Sequence, residues 1–193
     1  GTLTNSNKEI SNNTWKALLN IQERGHIVVL ASGRPTPGII ELSEILQLAK
    51  YNGYILSYNG GKIIHCASNE IIFQRVLEPS VIPDLYQDAL EYNVGIITYE
   101  DNIIIAGTKT DEYMIKEANI NKIPIKEVAN FIDYVSFDVN KCLMTGESSH
   151  LAYVEEQLKQ KYEDKLSIYR SEPYFLEIMP KGIDKAKSLS KLL

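Results

Sequence analysis

The chain has 193 residues, of which 44% are hydrophobic and 23% are charged. This composition is typical of globular proteins, and the length suffices for one domain and a second, smaller one. The formal net charge of −5 argues against nucleic acid or an anionic membrane as partner, because either would favour a basic face. No apolar run approaches the roughly 20 residues that a membrane span needs, and no signal-peptide pattern opens the chain.

The residue types that most often bind zinc lack the spacing of a zinc site. Cys66 and Cys142 each lie among strand-like apolar residues, without a second Cys or His at ligand spacing. The histidines at 26, 65 and 150 are scattered singly. We therefore expect two reduced thiols and a cytoplasmic location.

The part of the chain before Pro79 alternates helical and strand patterns. A continuous apolar run such as Ile27–Ala31 is typical of a parallel strand covered on both faces. The Asn59-Gly60 pair is a strong turn signal between strands. In chain order, the patterns predict a helix from Trp15 to Arg24, a strand over 27–31, a helix over 39–48, a strand over 54–57, and a hairpin with arms at 62–66 and 71–76.

From Pro79 onwards the pattern changes to one of paired strands and helices. The predicted elements are a helix over 81–92, strands over 95–99 and 103–107, a polar helix over 111–118, a short apolar helix or strand over 128–135, a strand over 141–145, an amphipathic helix over 148–163, strands over 166–170 and 174–179, and a helix from 184. This order predicts an α/β fold with a Rossmann-like, doubly wound parallel core sheet interrupted by an inserted α+β domain. We expect core residues 1–79, an inserted domain at 80–179, and a return of the core at 180–193.

Three fragments lie where an open α/β sheet places its active site, beyond the carboxyl ends of strands. Gly1-Thr2-Leu3 combines a flexible strand exit with a hydroxyl. Ser32-Gly33-Arg34 follows the buried strand, where a hydroxyl and backbone N–H groups at a helix start would bind an anion. Lys185 stands at the start of the last helix. Singly, each has a structural explanation: a chance tripeptide, an ordinary helix cap and a surface lysine.

In this order and spacing, the fragments resemble the haloacid dehalogenase superfamily of phosphohydrolases, in particular its Cof-like subgroup with a large α/β cap. The first family motif is Asp-x-Asp-Gly-Thr-Leu, of which Gly1-Thr2-Leu3 is the second half. Ser32-Gly33-Arg34 matches the second motif. Asn59-Gly60 matches the subgroup's Ser-Asn-Gly turn, except that Tyr58 precedes Asn59 in Ser57-Tyr58-Asn59. The stretch from Leu176-Glu177-Ile178 to Lys185-Ala186 is similar to the third motif.

The resemblance implies a Mg²⁺-dependent phosphohydrolase that passes through an aspartyl-phosphate. Ser32 would hydrogen-bond a phosphoryl oxygen, and Lys185 would neutralise charge on the nucleophile and the transferring group. Thr2, Gly33, Arg34, Asn59 and Gly60 would help to bind the substrate, a small phosphorylated metabolite such as a sugar phosphate or a nucleotide. The inserted domain would close over the core between hinges near Pro79 and Pro180. Arg170, Ser171 and Glu172, in a loop between its last two strands, are candidate contacts, although ordinary surface charge is the stronger explanation for each.

The metal-binding and nucleophilic carboxylates of the family would fall before Gly1 and after Leu193, so none is assigned here. We therefore expect the 193 residues alone to be inactive and to be part of a longer enzyme. Two alternatives remain open at this stage: a phosphomutase on the same scaffold, or a non-catalytic module that binds a phosphorylated ligand. A P-loop kinase or a dinucleotide-binding dehydrogenase is disfavoured, since neither glycine-rich motif is present.

Overall fold

The computed structural model describes residues 2–5 and 9–192, so Gly1 of the first fragment lies outside the described residues. The chain forms two sheets, which we call the first sheet (β1 to β4) and the second sheet (β5 to β10). The elements of the first part are α1 (Asn12–Glu23), β1 (Val29–Ala31), α2 (Pro37–Ile45), β2 (Tyr54–Ser57), a 3-10 turn (Tyr58–Gly60), β3 (Lys62–His65) and β4 (Glu70–Gln74).

The first sheet has the strand order β1-β2-β3-β4. β1 and β2 are parallel, as the continuous apolar run predicts, and β3 and β4 continue the sheet as an antiparallel hairpin. Ser11 is the N-cap of helix α1, and its hydroxyl accepts a hydrogen bond from the Thr14 backbone N–H. A hydrogen bond connects α1 to α2: the Trp15 indole N–H donates to the carbonyl oxygen of Ile45 at 3.0 Å. A small core of Leu30, Ile39, Leu46, Leu48 and Ile55 lies between these helices and the strands.

The second sheet has the order β7-β6-β5-β8-β10-β9 and is antiparallel except where β6 meets β7. Its elements are α3 (Val81–Glu91), β5 (Gly95–Glu100), β6 (Ile103–Ala106), α4 (Glu112–Asn121), β7 (Ile125–Glu127), α5 (Phe131–Tyr134), β8 (Cys142–Thr145), α6 (Ser148–Lys161), β9 (Leu166–Glu172) and β10 (Phe175–Pro180). The short helix α7 (Lys185–Leu189) follows.

Both faces of the second sheet are buried. Residues of α3, α5 and α6 form one large apolar cluster with the strands, and α4 packs against a second cluster on the remaining face. Strand alternation divides the side chains between the two, so that Ile96 belongs to the first cluster and Ile97 to the second. No helix in the described part of the chain is long and apolar enough to cross a membrane.

The mixed α/β fold confirms the predicted fold class. The predicted short element at 128–135 is the four-residue helix α5, but the pattern missed the strand β7 that precedes it. β7 is short, and two of its three residues are exposed, so the segment shows little hydrophobic periodicity. The domain boundaries stay predictions; β10 runs through Pro180, one residue past the predicted end of the inserted domain.

Candidate active site

The loop at residues 32–34 leaves the first sheet at the carboxyl end of β1. The Ser32 backbone N–H donates to the carbonyl oxygen of Leu56 on β2 at 2.9 Å. The Ser32 hydroxyl accepts a hydrogen bond from the Arg34 backbone N–H at 3.1 Å. The expectation that this loop starts a helix is wrong, because α2 begins only at Pro37 after the N-cap residue Thr36. The hydroxyl and backbone N–H groups of this loop therefore lie outside the helix, and the conformation of the loop sets the direction in which they point.

Gly33 is the point at which this loop meets the turn that follows β2. A Cβ atom on Gly33 would lie 2.9 Å from Oδ1 of Asn59, so only glycine permits the observed approach of the Asn59 amide. Among the described residues, no acceptor pairs with the Gly33 backbone N–H. A half-buried, unpaired N–H beside a hydroxyl can donate to an anionic oxygen.

The Tyr58–Gly60 turn is tied to the loop at residues 32–34 by backbone hydrogen bonds. The Tyr58 N–H donates to the carbonyl oxygen of Arg34, and the Asn59 N–H donates to that of Ser32, each at 3.0 Å. Three consecutive residues of the turn have positive φ angles: 50° at Tyr58, 56° at Asn59 and 102° at Gly60. The Asn-Gly signal thus predicts the turn correctly, and the turn carries Asn59 to the end of β1.

Helix α7 packs against the same turn and places Lys185 beside it. A Cβ atom on Gly60 would lie 2.4 Å from the buried Ser188 hydroxyl oxygen and 3.0 Å from the carbonyl oxygen of Asp184. Asp184 is the N-cap of α7, and the backbone N–H of Lys187 lowers the pKa of its carboxyl group. The structure therefore brings the Asn-Gly turn together with both the loop at residues 32–34 and the start of α7. The Lys185 side chain is exposed.

The second sheet covers this turn. The Tyr58 side chain is buried in the apolar cluster on the face that α4 also covers, with its ring edge-on to Tyr99 at 6.1 Å between centroids. The Asn59 side-chain N–H donates to the hydroxyl oxygen of Tyr169 on β9 at 2.5 Å. Burial, together with the nearby Glu177 carboxylate, raises the pKa of Tyr169 to about 12, so its hydroxyl stays protonated.

Tyr169 is a residue that the sequence analysis missed. The predicted contacts were Arg170, Ser171 and Glu172 in a loop, but β9 extends to Glu172 and none of the three lies in a loop. Arg170 forms an ion pair with Glu155 of α6. Because side chains alternate along a strand, Tyr169 projects from the opposite face. Only the observed strand register distinguishes these two faces, so the local pattern offered no signal for Tyr169.

A buried ion pair lies on the same face of the second sheet as Tyr169. Lys141 Nζ is 2.8 Å from the Glu177 carboxylate, and the two side chains are 2% and 9% exposed. Glu177 stands opposite Tyr169 in the β9–β10 register and also accepts a hydrogen bond from the Ser171 hydroxyl. Leu176-Glu177-Ile178 therefore belongs to the second sheet, and only the Lys185 end of the third fragment reaches the turn.

Two clefts open between the sheets near this turn. One, of about 730 Å³, is lined by Thr36 and Tyr58 on the first side and by Tyr99 and Asn140 on the second. The other, of about 640 Å³, lies between α2 and the end of α4 and is lined in part by Arg34. The Arg34 guanidinium donates to the carbonyl oxygen of Gly38 at 3.2 Å, which directs it along α2.

The remaining predicted groups add little to the geometry. Thr2 is described and exposed, while Leu3 packs on the core of the first sheet. Within residues 2–5 and 9–192, no three His, Cys, Asp or Glu side chains are grouped so that they could hold a metal ion.

The fold and the position of this polar edge define an α/β protein with a site at the carboxyl ends of its parallel strands, beneath a second sheet. The family model for haloacid dehalogenase-like hydrolases matches residues 1–193. The chain therefore belongs to this family of hydrolases, which confirms the resemblance seen in the sequence.

Known proteins support the same assignment. A haloacid dehalogenase-like hydrolase from Bacteroides thetaiotaomicron is 46% identical, with a TM-score of 0.94 over 99% of this chain and 72% of that one. A Streptococcus pyogenes protein named "Putative phosphatase M6_Spy0533" is 27% identical over 100% of this chain and 71% of its own length. A sugar phosphatase of subclass IIB shares the fold alone, with a TM-score of 0.76 and 19% identity over 98% of this chain and 70% of that one.

Proposed function

We propose that this protein is a phosphohydrolase that acts on the phosphate monoesters of small metabolites, such as a sugar phosphate or a nucleotide. Family membership supports hydrolysis. The name of the Streptococcus pyogenes relative supports a phosphate ester as the substrate. The net charge of −5 disfavours a polyanionic macromolecule and leaves a small phosphorylated molecule as the simpler choice.

The observation that carries the proposal is the convergence of two separate segments on the Asn59-Gly60 turn. The loop at residues 32–34 and the start of α7 both pack against Asn59-Gly60. These segments are far apart in the sequence, and each brings a group that can bind or neutralise an anion: the Ser32 hydroxyl, the Gly33 N–H and the Lys185 ammonium. A cluster of such donors is what phosphoryl transfer requires, since its catalysis is mostly positioning and electrostatic stabilisation.

The roles follow from the chemistry of each group. In this proposal Ser32 and the Gly33 N–H donate hydrogen bonds to phosphoryl oxygens, and Lys185 offsets the negative charge that builds up during transfer. Asn59 and Gly60 shape the turn that holds these donors, and Thr2 and Arg34 contact the substrate at the rim. The second sheet acts as the cap, which excludes water and contacts the leaving group.

The family resemblance adds the groups that this chain does not contain. The resemblance implies an attacking aspartate three residues before Gly1, a proton-transferring aspartate immediately before it, and Mg²⁺ held with further carboxylates of the family. A preparation of these 193 residues alone is accordingly expected to release no phosphate.

The test uses protein that includes the Asp-x-Asp segment, screened with Mg²⁺ for phosphate release from sugar phosphates, nucleotides and p-nitrophenyl phosphate. Ser32→Ala and Lys185→Ala should each lower kcat/KM by about 100-fold, as removal of one stabilising donor typically does. Ser136→Ala and Lys16→Ala, which change exposed residues of the same types, serve as controls and should keep full activity.

Each contrary outcome has a distinct meaning. Full activity in both Ser32→Ala and Lys185→Ala would remove the assigned roles. Absence of phosphate release from every compound would contradict the hydrolase function, whereas conversion of a hexose phosphate without phosphate release would identify a phosphomutase.

A further inference from the structure

The Tyr58–Gly60 turn has a backbone that its sequence does not favour by itself. Positive φ angles cost little at Gly60 and are tolerated at Asn59, whose φ is 56°. Tyr58, with a φ of 50°, is a bulky residue in a region that L-residues rarely adopt. Contacts elsewhere must therefore hold this turn in place.

The contacts that hold Tyr58 come mainly from the second sheet. The Tyr58 side chain is 7% exposed and belongs to the apolar cluster that includes Ile97, Leu143 and Phe175. These partners lie on three different strands of the second sheet, β5, β8 and β10. The left-handed turn is thus stabilised by burial against the second sheet, although it belongs to the first.

Asn59 transmits this contact to the loop at residues 32–34. Because its side-chain nitrogen donates to Tyr169, the carboxamide is held in one orientation, and its oxygen faces Gly33. Its backbone N–H donates to the Ser32 carbonyl oxygen at 3.0 Å. The amide of Asn59 therefore touches the second sheet on one side and the candidate phosphate-binding loop on the other.

Tyr169 lies beside a buried ion pair of the second sheet. It stands opposite Glu177 on β10, whose carboxylate is bound by Lys141 and by the Ser171 hydroxyl, each at 2.8 Å. A side chain on a strand beside such a pair can hold its partner in place more precisely than a loop residue can.

We infer that Tyr169 is a positioning residue for the phosphatase reaction. Through Asn59, Tyr169 sets the geometry of the loop at residues 32–34. This loop is therefore ordered for catalysis when the second sheet packs against it. This inference rests on the proposed function. Tyr169 acts here on Asn59 and not on the substrate, which separates its role from that of a leaving-group contact.

The experiment measures p-nitrophenyl phosphate hydrolysis by the active protein and by its Tyr169→Phe, Asn59→Ala and doubly substituted variants. Tyr169→Phe should lower kcat about tenfold and change KM less than about twofold, because a small displacement of catalytic groups affects the transition state more than binding. The double variant should be no slower than Asn59→Ala, since both changes break the same connection.

Tyr162→Phe is the matched control. Tyr162 is buried, whereas Tyr169 is half-buried, and the Tyr162 hydroxyl donates to Asp88 at 2.6 Å within the cluster on the opposite face of the second sheet. This variant should lower Tm and leave kcat unchanged. Unchanged kcat in Tyr169→Phe, or independent losses that multiply in the double variant, would overturn the inference while the proposed function stands.

A second readout does not depend on activity. In ¹⁵N–¹H spectra of the folded protein, the Gly33 amide signal should move in Tyr169→Phe and stay in place in Tyr162→Phe. A Gly33 signal that does not move in Tyr169→Phe would contradict the inference, whether or not the wild-type protein is active. Absence of phosphate-ester hydrolysis by the wild-type protein would contradict only the proposed function.

Discussion

The first and second sheets differ in how completely they bury their side chains. The second sheet is covered on both faces by helices, and its core residues Ile96, Leu143 and Leu176 are at most 1% exposed. On the first sheet, Ile71 and Ile72 of β4 are 48% and 40% exposed, and Ala31 at the end of β1 is exposed as well.

The difference in burial suggests that the second sheet contributes more to stability, whereas the first sheet carries more of the candidate binding groups. Most of the buried apolar residues belong to the second sheet and its helices, while the candidate binding groups lie on a loop and a turn of the first sheet and at the start of α7. Loops that must meet a ligand are drawn from the less stable parts of a fold, and a rigid neighbour can order them. The contacts of Tyr58 and Asn59 with the second sheet are the places where this ordering occurs.

The largest expected loss of stability comes from a substitution that creates a cavity in the core of the second sheet. Leu176→Ala should lower the free energy of unfolding by about 3 kcal/mol, because it deletes a fully buried side chain between packed strands. Ile72→Ala, the matched change on the exposed part of β4, should cost less than about 0.5 kcal/mol. Urea unfolding measures both through the shift in midpoint at constant m. Equal losses would show that the two sheets are packed alike.

A smaller effect is expected where α2 of the first sheet meets α4 of the second. A Cβ atom on Gly38 would lie within 2.2 Å of Asn121 Oδ1. The Asn121 amide cannot easily turn away, since its nitrogen donates to both the carbonyl and the carboxylate of Glu117. Gly38→Ala should therefore cost about 1–2 kcal/mol in free energy of unfolding.

Two further variants sharpen the Gly38 prediction. In an Asn121→Ala background, Gly38→Ala should cost clearly less, because the opposing oxygen is gone. Gly146→Ala is the control, since a Cβ atom there would be 3.4 Å from its nearest neighbour, an ordinary contact. If the cost of Gly38→Ala were the same in both backgrounds, the two helices would not be in contact in solution.

The smallest expected effect is a dependence on pH that belongs to the second sheet. Glu147 caps α6 by accepting hydrogen bonds from Ser149 and His150, which lowers its pKa to about 2. A lowered folded-state pKa means that the contribution of this carboxylate is complete above its usual value of 4.5 and is lost as the pH falls towards 2. The Tm difference between wild type and Glu147→Gln should therefore be largest near pH 6 and shrink towards pH 2.5. A constant difference would contradict this cap.

Much of the fold could be predicted because its signals are local. The strand at Tyr54–Ser57 and the helix from Val81 appear in the structure at the predicted positions, since short apolar runs and helical spacing report directly on burial. The Asn59-Gly60 turn was recognisable for the same reason. Tyr169 was not, because its partner Asn59 lies 110 residues away and no periodicity within β9 indicates which face meets the first sheet.

Apart from the short strand β7, the sequence by itself determined the order of the elements. It also determined the family and the groups that carry the candidate chemistry: the Ser32-Gly33-Arg34 loop, the Asn59-Gly60 turn and Lys185. Only the tertiary structure decided that Gly33 and Gly60 are the two points where these segments touch, and that the second sheet holds the turn between them. The physical reason is that motif and periodicity are properties of neighbouring residues, whereas a close approach that excludes a Cβ atom depends on how distant segments pack.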